Sequence, residues 1–138
     1  MMKTRLIALL MASLTLLLFA TSVSAKIPDD GIVAPCWEYM NSISVDISFL
    51  GTKGTASVSV DRIYQVTTRL EGTLTVYKQV GDDWVYVDSQ SGTSTRALSI
   101  EFEFDAESGV KYKAVADVTA YGSSGSESDS ATKEKTCP

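Results

Sequence analysis

Residues 70–90, LEGTLTVYKQVGDDWVYVDSQ, decide the fold. Gly81-Asp82 divides two runs rich in β-branched and aromatic residues, the composition of a tight turn joining antiparallel strands. With that pair as the turn, Tyr77 stands opposite Tyr86, Val76 opposite Val87 and Lys78 opposite Val85. One face of the hairpin then offers Leu74, Val76, Val85 and Val87 to a core. The other carries Tyr77, Trp84 and Tyr86, with Gln79 across from Trp84, and must meet solvent, a neighbouring strand or a partner.

The same period of two extends outward from the hairpin. Upstream, Ile43, Val45, Ile47 and Phe49 alternate with Ser42, Ser44, Asp46 and Ser48, and Ala56, Val58 and Val60 alternate with Ser57, Ser59 and Asp61. Between the second strand and the hairpin, residues 61–69 are expected to connect, with Ile63 and Tyr64 placed to plug the end of the core. Downstream, residues 89–94 read as a polar link. Leu98, Ile100, Phe102 and Phe104 then face in, while Ser99, Glu101 and Glu103 face out. Tyr112, Ala114, Ala116, Val118 and Ala120 form a sixth inner face of small residues, and residues 126–133 a seventh strand so polar that only a disulfide or edge pairing would hold it.

Seven short strands and alternating apolarity predict an all-β, antiparallel seven-stranded sandwich, with a closed barrel as the alternative. The expected organisation is a signal peptide over residues 1–25, an irregular lead-in over 26–41, the β-sandwich over 42–133 and a C-terminal tail over 134–138 that carries Cys137. The signal peptide rests on Lys3 and Arg5 before an apolar run over residues 6–20, closed by Val23-Ser24-Ala25. That run falls short of the ~20 residues a membrane span needs, so the expectation is export without membrane insertion of the mature chain. Cys36, preceded by Pro35, lies too far past the run for a lipid anchor.

Without Lys3 and Arg5 the chain has 10 basic residues against 17 acidic ones, a formal charge of −7. That balance argues against nucleic acid and anionic lipid as partners and favours solubility. Cys36 and Cys137 bracket nearly the whole mature domain. In an exported chain such a pair is most simply a disulfide, and closing a loop of about 100 residues stabilises by at most ~4.7 kcal/mol on the chain-entropy model. Two thiols or cross-linked dimers are the alternatives. A bridge would have to run along the side of the sandwich, because the first strand starts at one end and the last finishes at the other.

Histidine is absent, which removes the usual general base of hydrolases and the commonest zinc ligand. No phosphate loop, nucleophile elbow or dinucleotide fingerprint occurs, and neither a cofactor nor a metal site is expected. Asp29-Asp30-Gly31 lacks the spaced carboxylates and closing Glu of a calcium loop and reads as a turn. Glu101, Glu103 and Asp105 alternate on the outer side of one strand, at a spacing a glycosidase could use. A wet, convex face would not raise the pKa of either acid, so a charged outer surface is the expectation and an enzyme is not.

The run Glu107-Ser108-Gly109-Val110-Lys111-Tyr112-Lys113-Ala114-Val115-Ala116 resembles the sixth strand of immunoglobulin-like and fibronectin type III domains. The resemblance implies that Tyr112 is a tyrosine-corner residue whose hydroxyl bonds backbone at the turn before that strand. Strands two and six carry no Cys, so the inter-sheet disulfide of antibody domains is missing. With its N-terminal Cys, Ser-Ile-Ser-Val strand, Trp84 hairpin and Thr-Cys ending, the mature chain is also similar to small secreted single-domain proteins of Gram-positive bacteria without an assigned function.

The functional expectation is a non-catalytic secreted module that binds a protein or cell-surface partner. Its candidate ligand-binding residues are Tyr77, Gln79, Trp84 and Tyr86. The alternative is a glycan stacked on a flat platform of Tyr77, Trp84 and Tyr86, with Gln79, Asp82 and Asp83 bonding its hydroxyls. The same aromatic pairs would also stabilise a sheet by ~0.2–1 kcal/mol with nothing bound. A hydrolase using Glu101 or Glu103 is the remote third reading. Self-association through an edge strand stays open.

Overall fold

The computed structural model describes residues 37–138, and the signal peptide, most of the lead-in and Cys36 lie outside them. Seven strands follow in order: β1 (Met40–Leu50), β2 (Lys53–Arg62), β3 (Thr67–Val80), β4 (Asp83–Ser94), β5 (Leu98–Asp105), β6 (Lys111–Gly122) and β7 (Ser126–Thr136). All pairings are antiparallel, in a three-stranded sheet of order β1-β2-β5 and a four-stranded sheet of order β4-β3-β6-β7. The described residues contain no helix, so none is long and apolar enough to cross a membrane.

The alternation explains the layering. In the three-stranded sheet, Val45, Val58 and Ile100 share a row, as do Ile47, Ala56 and Phe102. These point inward against Leu70, Leu74, Val76, Ala114, Ala116 and Val118 of the other sheet, and Ile47, Leu70, Leu74 and Val76 are wholly buried. The alanines of β6 let the two layers approach closely at their centre. The far end of the Phe104 ring lies against Gly54, where an added Cβ would come within 2.3 Å of it.

The central hairpin turns at Gly81, whose φ of 63° is the left-handed conformation that favours glycine. Tyr77 pairs with Tyr86, Lys78 with Val85 and Gln79 with Trp84, in the expected register. Beyond them a bulge between Val76 and Tyr77 sets Val76 opposite Asp88 instead of Val87. The extra residue is Val87, which is only partly buried, and Val85, nearer the tip, is 42% exposed.

Several boundaries move. Residues 89–94 continue β4 and pair with β3 as far as Ser94 opposite Leu70, where a polar link was expected. Their apolar cover comes from the facing sheet: Leu98 and Ile100 reach over Gly92, so this stretch needs no large side chain of its own. Tyr64 is 73% exposed and does not plug the core. That place is taken by Tyr39 and Met40, whose rows end against Gly122 and Arg62. The sandwich also runs past residue 133. Lys111 pairs with Thr136, and Cys137 is buried, donating its N–H to Val110 and accepting the N–H of Gly109, both at 2.9 Å. Residues 134–137 belong to the fold instead of forming a tail.

Candidate binding surfaces

The aromatic hairpin face forms around a lysine. Lys113 of β6 stands opposite Tyr77, and its ammonium lies 4.3 Å from the centre of the Trp84 ring and 5.5 Å from that of Tyr77. Tyr77 and Tyr86 meet edge to face, with centroids 6.5 Å apart and planes at 81°. The flat platform expected from the sequence is therefore not formed, because one ring stands upright on the other and a cation covers the indole. Tyr86 is 58% exposed and bonds Ser89 through its hydroxyl at 3.1 Å, while Gln79 is exposed at the tip. Tyr77 and Trp84 are half-buried. Val80 and Val85 are exposed on the opposite face of the hairpin, so its end, which extends past the first pairing of β6, is aromatic and cationic on one side and apolar on the other.

Farther along the same outer surface the side chains shrink. Ser91, Thr73, Asp117 and Ser130 form one row across all four strands, and Thr93, Glu71, Thr119 and Ser128 the next. Between the bulky ends of the sheet they leave a shallow trough of about 910 Å³. Its hydroxyls are bonded in pairs: Thr73 with Ser91 at 2.8 Å, Thr119 with Ser128 at 2.8 Å, and Ser130 donating to Asp117. One end is walled by Tyr121, whose hydroxyl donates to Glu71 at 3.0 Å and whose ring carries Arg69 at 4.2 Å. Arg69 also pairs with Glu71 at 3.2 Å. No local pattern in the sequence marks this surface, because short hydroxyl residues on alternate positions look like any solvated strand face.

The outer surface of the three-stranded sheet is different. Asp46, Ser57 and Glu101 make one row, Ser48, Thr55 and Glu103 the next, and Leu50, Lys53 and Asp105 the last. Glu101 and Glu103 are exposed two residues apart on the outer face of the same strand. Lys53 donates to Asp105 at 2.7 Å. That hydrogen bond, and then the attraction of the two charges, raise the Lys53 pKa and lower that of Asp105. Among the described residues no group of three or more His, Cys, Asp or Glu could hold a metal ion.

Two further features tie the ends of the chain. Tyr112 is buried, and its hydroxyl accepts the N–H of Glu107 at 2.8 Å, at the turn before β6. Burial pushes the phenol above its ordinary pKa, partly offset by that N–H. At the opposite end, the carboxylate of Glu127 accepts three consecutive backbone N–H groups, from Glu38 at 2.8 Å, Tyr39 at 2.6 Å and Met40 at 2.8 Å. The Trp37 indole donates to Asp129 at 2.7 Å and the Tyr39 hydroxyl meets Ser124 at 2.9 Å. Cys137 lies at the Tyr112 end, its sulfur 3.6 Å from the carbonyl oxygen of Gly51.

No protein-family model and no curated protein matches the chain. Among solved structures, the solution structure of CsgH from R. palustris is similar at 17% identity and a TM-score of 0.46, over 66% of this chain and 88% of that one.

Proposed function

We propose that this is a secreted, non-catalytic binding module with an immunoglobulin-like, fibronectin type III-like sandwich, and that it recognises a protein or cell-surface partner through the projecting end of the β3–β4 hairpin. The observation that carries this reading is the packing there of Tyr77, Trp84 and Tyr86 about Lys113 on one face of the hairpin, with Val80 and Val85 exposed on its other face. Aromatic and aliphatic side chains with a single cation are the composition of the energetic centre of a protein interface. The strand order supports the fibronectin side of the resemblance. Antibody constant domains pair their fourth strand with the fifth, whereas here β4 pairs with β3 and lengthens the hairpin.

The test is binding of labelled protein to intact cells of the organism that makes it, or to its extracted surface proteins. Trp84→Ala and Tyr86→Ala should each weaken that binding about tenfold or more, the scale of an interface hot spot. Binding that survives both substitutions unchanged would remove the hairpin end from the reading.

A further inference from the structure

The trough on the four-stranded sheet is a second candidate site, separate from the hairpin end. We propose that it binds a glycan strand free of acidic groups, laid across the four strands over the rows of Thr73 and Glu71.

The floor supplies what sugar hydroxyls require. Each Ser or Thr hydroxyl has one proton to donate and two lone pairs. In the Thr73–Ser91 and Thr119–Ser128 pairs one proton and one lone pair are used internally, so each pair keeps one proton and three lone pairs for a ligand. The internal bonds also fix the rotors, which lowers the entropy lost on binding. Asp117 is exposed, and Ser130 occupies only one of its oxygens, so the other can accept a bond from a sugar hydroxyl.

The shape and charge narrow the choice. Val118 is buried beneath the floor, so the trough presents no apolar side chain to anchor a peptide. No Lys or Arg lines it, while Glu71 and Asp117 do, which disfavours an acidic polymer. The lining takes three residues from each of the four strands, so the trough runs across them, roughly 14 Å at ~4.8 Å per strand spacing, which is long enough for two or three sugar rings end to end.

The experiment is a pull-down and affinity electrophoresis of the full chain on cellulose, chitin, mannan and pectate. The expected result is retention on at least one of the first three and none on pectate. The double substitution Thr73→Val with Asp117→Asn should weaken retention about tenfold or more, the loss of a ligand hydrogen bond or two. Ser91→Arg, which fills the trough without touching the core, should abolish it, and circular dichroism checks that both variants keep the sheet. Trp84→Ala should change retention less than twofold. The proposal is overturned if the wild type is retained on none of the four or on pectate alone, if both trough variants bind like the wild type, or if Trp84→Ala loses as much as they do. Each of these results leaves the protein-binding reading of the hairpin end standing, and the last would place the glycan on the hairpin instead.

Discussion

The two ends of the sandwich are closed by opposite means. At the end where the chain leaves, Phe49, Phe104 and Tyr112 pack with centroids 5.2–6.3 Å apart, and Cys137 is buried beside them. At the end where the chain enters, Tyr39 and Met40 cover the core, but what holds them is polar: one carboxylate on β7 and the three N–H groups it gathers. The aromatic end derives its strength from area removed from water, which salt barely affects. The clamped end depends on charge-assisted bonds at a partly wet edge, where water competes for every N–H. An end of the first kind should be rigid, and an end of the second kind is the place where the sandwich opens first.

The largest effect should come from breaking the aromatic end. Tyr112→Ala removes a buried ring from a three-ring cluster and a hydroxyl from the Glu107 N–H. A cost of about 3–5 kcal/mol is expected, the range for large aromatics truncated in a core, read as a lower midpoint in urea or heat. Tyr112→Phe keeps the ring and leaves the N–H without its acceptor, so it should cost about 1–3 kcal/mol. If the two variants were equally destabilised, the hydroxyl and not the packing would close this end.

Glu127→Ala attacks the other end and should cost less, about 2 kcal/mol, because water can reach the released N–H groups. Its clearer signature is local. Amide exchange should quicken at Glu38, Tyr39 and Met40 and leave Tyr112 and its neighbours protected. The same variant bears on the cysteines. Asp129, which holds Trp37, stands eight residues from Cys137 along β7, roughly 26 Å at ~3.3 Å per residue, whereas a disulfide needs its Cα atoms within about 7 Å. Cys36 is the residue next to Trp37. With Glu38 to Met40 held by Glu127, a bridge within one chain is expected to form only when that clamp opens. Glu127→Ala should raise the fraction of intramolecularly bridged chain at a fixed thiol–disulfide ratio, measured by alkylation and non-reducing electrophoresis. An unchanged fraction would mean that the clamp does not compete with the bridge.

The contrast also explains how much of the molecule could be read in advance. The aromatic end and the layers were legible because Phe49, Phe104, Tyr112 and the β6 alanines sit at a strict period of two, and a period of two has one physical meaning when one face is buried. The clamp was not legible. Glu127 and Asp129 lie on a strand whose every residue is compatible with solvent, and no local pattern says that a carboxylate will collect backbone N–H groups from residues 88 and 89 positions away. The bulge after Val76 was hidden for a related reason, since Val87 at that position suits either face. The trough needs four strands in register before its hydroxyls become neighbours, and the order β4-β3-β6-β7 is not written in any one of them.

The smallest expected effect separates the outer surfaces instead of the ends. Lys53 and Asp105 form an exposed pair at the edge of the acidic face, so solvent screens most of its attraction and Asp105→Asn should leave the unfolding midpoint almost where it was. The pH dependence still has a definite sign. The folded-state pKa of Asp105 is depressed, so its contribution is present above the ordinary carboxylate range and is lost as pH falls through that lowered value. For Lys53 the folded pKa is raised, so its contribution is complete below the ordinary ammonium range and fades as pH rises through the higher value. A carboxyl-carbon NMR titration should find Asp105 releasing its proton at lower pH in the wild type than in Lys53→Met, and high salt should bring the two curves together. Coincident curves at low salt would mean that the pair does not persist in solution, and the acidic face would then have no fixed cation among its rows.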